Sequence, residues 1–297
     1  KGGVGRDLFA AVQAWVGHWP GGLAVATILS CGLFAAISGS SVATAATIGT
    51  VAIPEMVSRG YDRRFVFGLL AAGGTLGILI PPSIPMIVFG FVAEESVIAL
   101  FLAGIGPGLL LVSFFVIFSM VYARLSGRYT QMDKASWAER KASTLRALPS
   151  VSLALLIVGG LYSGAFTPTE ASAVGFIAAI AITALWLRRL TWSGFFEAVK
   201  DSAVTTTAIL IIIAAAKVFG KALALYRVPQ DISAFIAMNI DGPIVFILIV
   251  SLVLLIMGLV FETLSMILIM TPVLLPAAMG LGFDPIWFGI YMVIMVE

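Results

Sequence analysis

Long apolar runs, broken by short polar stretches, set the pattern of this chain. Residues 7–18 alternate as a short amphipathic helix. Residues 20–57 form two apolar arms around a polar centre, Ser38, Gly39, Ser40 and Ser41. A basic loop follows at 58–64, with Arg59, Arg63 and Arg64. Residues 65–93 are apolar but interrupted by Pro81, Pro82 and Pro85, and 97–123 read as an unbroken span. The most polar stretch is 124–146, which carries Arg124, Arg128, Lys134, Arg140, Lys141 and Arg146. Spans are predicted at 147–163 and 170–187, then a short interfacial helix at 191–201. Residues 203–225 are apolar around Lys217 and Lys221. A short helix is expected at 231–240. Two arms, 243–260 and 263–279, flank Phe261, Glu262 and Thr263, and a last segment starts after Asp284 and Pro285.

Composition turns this pattern into a class. Of 297 residues, 61% are hydrophobic and only 11% charged. A soluble fold of this size cannot hide so much apolar surface, so the chain is predicted to be an all-α, multi-pass membrane protein. Runs this long and continuous are not the short alternating strands of a barrel. A net charge of +2 gives no basis for nucleic-acid binding. One cysteine, Cys31, excludes an intramolecular disulfide, and one histidine, His18, excludes His-rich metal sites and most hydrolytic triads. The sequence starts at Lys1 and stops inside the apolar run 286–297, so it reads as an internal piece of a longer protein.

Charge then orients the spans. The basic loops at 58–64 and 124–146 are separated by two crossings, and two more lead to Arg188 and Arg189. All three clusters share a face, which the positive-inside rule makes cytoplasmic. The 124–146 stretch is thus a cytoplasmic linker facing anionic lipid. His18, beside Trp15, Trp19 and Pro20, reads as an interfacial anchor.

Pro54, Gly60 and Asp62 recur as Pro276, Gly282 and Asp284, each pair 222 residues apart. The first Gly-x-Asp loop is basic, whereas residues 280–287 hold no Lys or Arg. Opposite charge places the copies on opposite faces, the mark of inverted-topology repeats in secondary transporters. Residues 1–123 form the first repeat: interfacial helix, hairpin 20–57, broken helix 65–93 and span 97–123. Residues 147–297 form the second, with hairpin 243–279. The same offset carries Gly77 and Pro82 past Glu297, so the second repeat is expected to be truncated before its broken helix. Hydropathy alone leaves open whether each hairpin is re-entrant or crosses fully.

Two polar constellations lie inside the apolar pattern. The tip at 38–41, with Thr44 and Thr47 behind it, either supplies free carbonyls and hydroxyls for a hard cation such as Na⁺ or packs helices closely through small residues. Pro81, Pro82 and Pro85 leave upstream carbonyls without helical donors, which either unwinds the helix at a transport site or kinks it. Glu262 sits between apolar arms, where a charge is costly. It either faces a cavity, a cation or a proton path, or reaches water at the tip. Lys217 and Lys221, one turn apart, either snorkel towards Arg227 or attract an anion. Glu170, after Pro168, complements a helix dipole or has a functional role.

At these residues the chain resembles the large membrane subunit (DctM-like) of tripartite ATP-independent periplasmic transporters. The matching pieces are 34–49 (FAAISGSSVATAATIG), 53–56 with 60–62, 77–85 (GILIPPSIP), 166–175 (FTPTEASAVG), 261–276 (FETLSMILIMTPVLLP) and 282–285. They span nearly the whole chain in the family's order. The resemblance implies an elevator-type, ion-transporter-like fold in the bacterial inner membrane and Na⁺-driven import of organic acids. It also implies a periplasmic substrate-binding protein and a small four-helix membrane subunit as partners. Na⁺ is then a co-transported ion, with no organic cofactor. One Na⁺ site would use Ser38, Ser40, Gly77, Ile80 and Pro82, a second Gly258, Glu262 and Thr263. Substrate would meet Ser41, Thr44, Thr75 and Glu262. Lys217 and Lys221 depart from the small or apolar residues expected there.

No enzyme is expected. An aspartyl protease would need Asp62 and Asp284 to share one water, and the topology puts them on opposite faces. Two inverted hairpins supply the two gates of a carrier rather than the single path of a channel. A Na⁺- or H⁺-coupled elevator transporter that needs no binding protein is the alternative.

Overall fold

The structure is a computed structural model that describes residues 3–127, 131–239 and 242–297. Arg128 of the basic linker and Ile240, the end of a predicted short helix, lie outside the described residues, as do residues 1–2. Among the described residues there is no strand. The helices run α1 (Val4–Val16), α2 (Gly22–Ser38), α3 (Ser41–Ser58), α4 (Arg63–Leu79), α5 (Ile84–Ala93), α6 (Val97–Ser126) and α7 (Trp137–Tyr162). They continue as α8 (Pro168–Ala181), α9 (Trp192–Leu225), α10 (Val228–Asn239), α11 (Pro243–Gly258), α12 (Thr263–Gly280) and α13 (Pro285–Met295). A π-helical turn, Ile182–Trp186, extends α8. Among the described residues, five helices are long and apolar enough to cross a membrane, or six if α4 and α5 count as one broken span.

Two compact units are present: residues 1–83 with 104–194, and 84–103 with 195–297. In the first unit α2 is the central helix, packed by α1, α3 and α4. Leu23, Val25, Ile28, Cys31 and Ala35 are buried on it, joined by Ile48, Met56, Val66 and Leu76. Lipid tails are as apolar as these side chains, so close approach, not water expulsion, must hold such helices together. Glycines supply it. A Cβ on Gly73 would lie 2.9 Å from the Cys31 sulfur, and one on Gly74 would lie 3.0 Å from the Ala45 Cβ. In the second unit α12 packs on α5 and α10, and α13 on α5, α11 and α12. Tyr291 of α13 shares a 2.8 Å hydrogen bond with Ser251 of α11.

Two predicted boundaries are corrected. Residues 191–201 and 203–225 are one continuous helix, α9. Glu197, Lys200 and Asp201 interrupt the apolar pattern there, but nothing between them breaks a helix. The second is the polar 124–146 stretch, whose last ten residues are helical, because α7 starts at Trp137. Ser136 and Glu139 form a reciprocal capping box at its start.

The 222-residue offset reappears in the structure. It separates Ser41 from Thr263 and Ser58 from Gly280, so α3 and α12 have the same length. Both are followed by the same turn. Gly60 and Gly282 have φ of 85° and 86°, a region closed to most side chains. The Tyr61 and Phe283 amides donate to Met56 and Ala278 carbonyls, each at 3.1 Å. Asp62 then caps α4 through the Arg64 and Phe65 amides, and Asp284 caps α13 through the Trp287 amide. Asp62→Ala and Asp284→Ala are each expected to cost about 1 kcal/mol, the usual loss of an N-cap. Thermal unfolding of the purified full-length protein reads this as a lowered midpoint in both.

Candidate functional site

The first tip is built by one glycine and three hydroxyls. Helix α2 ends because Gly39 turns left-handed, φ 62°, and Ser40 is extended. Helix α3 restarts with the Ser40 side chain accepting from the Ala43 amide. The Thr44 hydroxyl, fully buried, donates to the Ser40 carbonyl at 2.8 Å and shares a 2.9 Å bond with the Ser38 hydroxyl. The Ser40 carbonyl also accepts from the Thr44 amide at 3.0 Å. Three oxygens from residues 38, 40 and 44 thus cluster at one turn.

The end of α4 meets this cluster. Gly77 backs directly onto it: an added Cβ would lie 2.5 Å from the Ser40 carbonyl oxygen and 2.7 Å from the Thr44 hydroxyl. Helix α4 ends at Leu79, and Ile80 takes an extended conformation. Helix α5 does not begin until Ile84. The cause is local. Pro81 and Pro82 stand four residues after Gly77 and Ile78 and have no N–H to give those carbonyls. The Pro81–Pro82 peptide is cis. The Ile80 side chain packs on Gly32 and Gly108, so its contribution to a site is its backbone.

The arrangement carries both signs of potential. The C-terminal ends of α2 and α4 present carbonyls, which favour a cation. The start of α3 presents amides, which favour an anion such as a carboxylate. Ser41 is the first residue of α3, half-buried at that end.

Thr75 does not join the cluster. It lies two residues before Gly77, about 200° around the helix, and its hydroxyl donates to the Ala72 carbonyl at 2.7 Å.

The second tip is simpler. Gly258 ends α11 with open space where a Cβ would stand. Glu262, exposed, is the N-cap of α12 and accepts from the Ser265 amide at 3.1 Å. Thr263 donates to the Glu297 carboxylate at 3.1 Å. Glu262 holds the position in α12 that Ser40 holds in α3, at the same 222-residue offset. Among the described residues, no group of three or more His, Cys, Asp or Glu could hold a metal.

The family model for the tripartite ATP-independent periplasmic transporter, DctM component, matches residues 1–297. The chain belongs to that family. The C4-dicarboxylate TRAP transporter large permease protein DctM of Pseudomonas aeruginosa is 43% identical over 296 residues, covering 100% of this chain and 69% of that one. An isethionate TRAP transporter permease protein, DctMQ, of Oleidesulfovibrio alaskensis is 36% identical, covering 99% of this chain and 46% of that one. The ectoine/5-hydroxyectoine TRAP transporter large permease protein UehC of Ruegeria pomeroyi is 35% identical, covering 100% and 69%. The chain is therefore a TRAP transporter large permease and a multi-pass protein of the inner membrane.

Two residues do more than their sequence reading, Glu170 as a charge at a helix start and Arg140 as one charge of the basic stretch. Glu170 forms a capping box with Thr167 at the start of α8, and the pattern Thr-x-x-Glu at 167–170 was a usable signal. Arg140 is buried with its guanidinium 5.2 Å from the Trp15 ring and 6.0 Å from the Trp137 ring. Trp15 and Arg140 lie too far apart in sequence to give a pattern to read.

Proposed function

We propose that this chain is the Na⁺-coupled permease subunit of a secondary transporter that imports organic acids. Ser38, Ser40 and Gly77, with the backbone of Ile80 and Pro82, would hold one Na⁺ at the end of the broken helix. Gly258, Glu262 and Thr263 would contribute to a second. The amides that open α3, with Ser41 and Thr44, would receive the carboxylate. The observation that carries this reading is the seating of Gly77 against the Ser40 carbonyl and Thr44 hydroxyl. It brings a polar tip and unpaired helix-end carbonyls to one place, inside apolar surroundings where such groups need a function.

The matching bounds of α3 and α12, and their matching turns, support inverted repeats that move together as an elevator domain. The relatives named for C4-dicarboxylate and isethionate support an organic acid as cargo. The family description, one component of a tripartite system, supports a periplasmic binding protein and a small four-helix membrane subunit as partners. The ion gradient suffices as an energy source, because each charge crossing 100 mV contributes about 2.3 kcal/mol.

The test is uptake of labelled C4-dicarboxylates by proteoliposomes holding the full-length protein, its small subunit and its binding protein. Accumulation is expected only with an inward Na⁺ gradient and only with the binding protein present. Equal uptake without Na⁺, or without the binding protein, would contradict the proposal.

A further inference from the structure

Lys217 and Lys221 sit one turn apart in the apolar part of α9. Within the second unit they line a cavity of about 380 Å³ with Val92, Gly220, Leu268 and Pro272. Snorkelling would carry both ammonium groups outward along the helix. The Lys217 ammonium lies 4.4 Å above the Phe91 ring centroid, and both lysines, exposed on α9, border the cavity. Each ammonium has three N–H donors and no acceptor function. Among the described residues neither lysine makes a hydrogen bond or an ion pair. The acid before them on the same helix, Asp201, is sixteen residues from Lys217, about 24 Å along the axis. Like charges at this spacing repel, and the ring face attracts only one of them.

We infer that this cavity is an anion site, taking a carboxylate or phosphate headgroup between Lys217 and Lys221 and its apolar body against Val92, Leu268 and Pro272. The volume falls in the range of small-molecule pockets. The walls are largely apolar, and Lys217 and Lys221, one helical turn apart, both border the cavity. A free organic acid and an anionic phospholipid share this chemistry.

Two probes separate those sources. The full-length protein in its complex is placed in nanodiscs of phosphatidylcholine with or without phosphatidylglycerol, and lipid retained after purification is counted by native mass spectrometry. Octanoate binding is measured by titration calorimetry in a nonionic detergent. Three variants are compared: Lys217→Gln with Lys221→Gln, Lys217→Arg with Lys221→Arg, and Gly220→Leu. The last keeps both charges and fills the cavity, since a Cβ there stands 3.9 Å from Pro272 with nothing nearer. The wild type is expected to bind one of the probes. The glutamine pair and Gly220→Leu should weaken that binding at least about tenfold, and the arginine pair should retain it. Retained phosphatidylglycerol identifies a lipid phosphate. Octanoate binding without lipid retention identifies a free carboxylate. Binding of neither probe by the wild type, or equal binding by wild type, the glutamine pair and Gly220→Leu, would overturn the assignment.

Discussion

Gly77→Ala is expected to reduce transport to background and to destabilise the protein by about 2–3 kcal/mol, the upper part of the range for overpacking. The new Cβ would stand 2.5 Å from the Ser40 carbonyl oxygen and 2.7 Å from its carbon. Those are backbone atoms, held by the Thr44 amide and hydroxyl, so α4 must move away from α3 as a whole. Alanine gains about 1 kcal/mol over glycine in a helix, which is too little to offset that displacement. Gly68 provides the control. It lies on the same helix, exposed, with nothing within 4 Å of an added Cβ. Gly68→Ala should raise the unfolding midpoint and leave uptake intact. If both substitutions behave alike, the close approach of α4 to the tip has no functional weight.

Thr44→Val is expected to cost about 1–3 kcal/mol, the usual consequence of leaving buried partners without a hydrogen bond. Valine keeps the shape and removes the hydroxyl that bonds both the Ser38 hydroxyl and the Ser40 carbonyl, leaving only the 3.4 Å contacts between Ser38 and the Ser40 backbone. The carbonyl keeps its amide donor, so the fold should survive while the oxygen cluster comes apart. Stability and Na⁺ dependence should therefore separate. Thr44→Ser, which retains the hydroxyl, should restore most of the Na⁺ response.

Several of these features were legible before any coordinates. Gly39 between hydroxyl residues announced a turn, and the structure puts it at φ 62° with Ser40 capping α3. Pro81 and Pro82 announced the break, because an absent N–H is a property of the residue itself. The Gly-x-Asp pairs marked two equivalent loops, and the structure makes each aspartate the cap of the helix that follows. What escaped the sequence has equally local causes. Hydropathy dipped at Glu197, Lys200 and Asp201, and a dip in apolarity is not a break in hydrogen bonding, so α9 was divided in two. The Ser136 and Glu139 box lay inside a stretch read only by its charge. Thr75 is only two residues from Gly77 in sequence, yet the helical period turns it away from the tip. Glu262 was read for its charge, and its position as an N-cap depended on where α12 begins.

The most direct measurement is a Na⁺ titration of uptake in proteoliposomes, comparing wild type with Thr44→Val under a saturating supply of loaded binding protein. If Thr44 positions the Ser38 hydroxyl and the Ser40 carbonyl that hold the coupling ion, the Na⁺ concentration for half-maximal uptake rises at least about tenfold, or about 1.4 kcal/mol, and Thr44→Ser returns it towards the wild-type value. An unchanged Na⁺ half-saturation in a folded, transporting Thr44→Val protein would contradict the site.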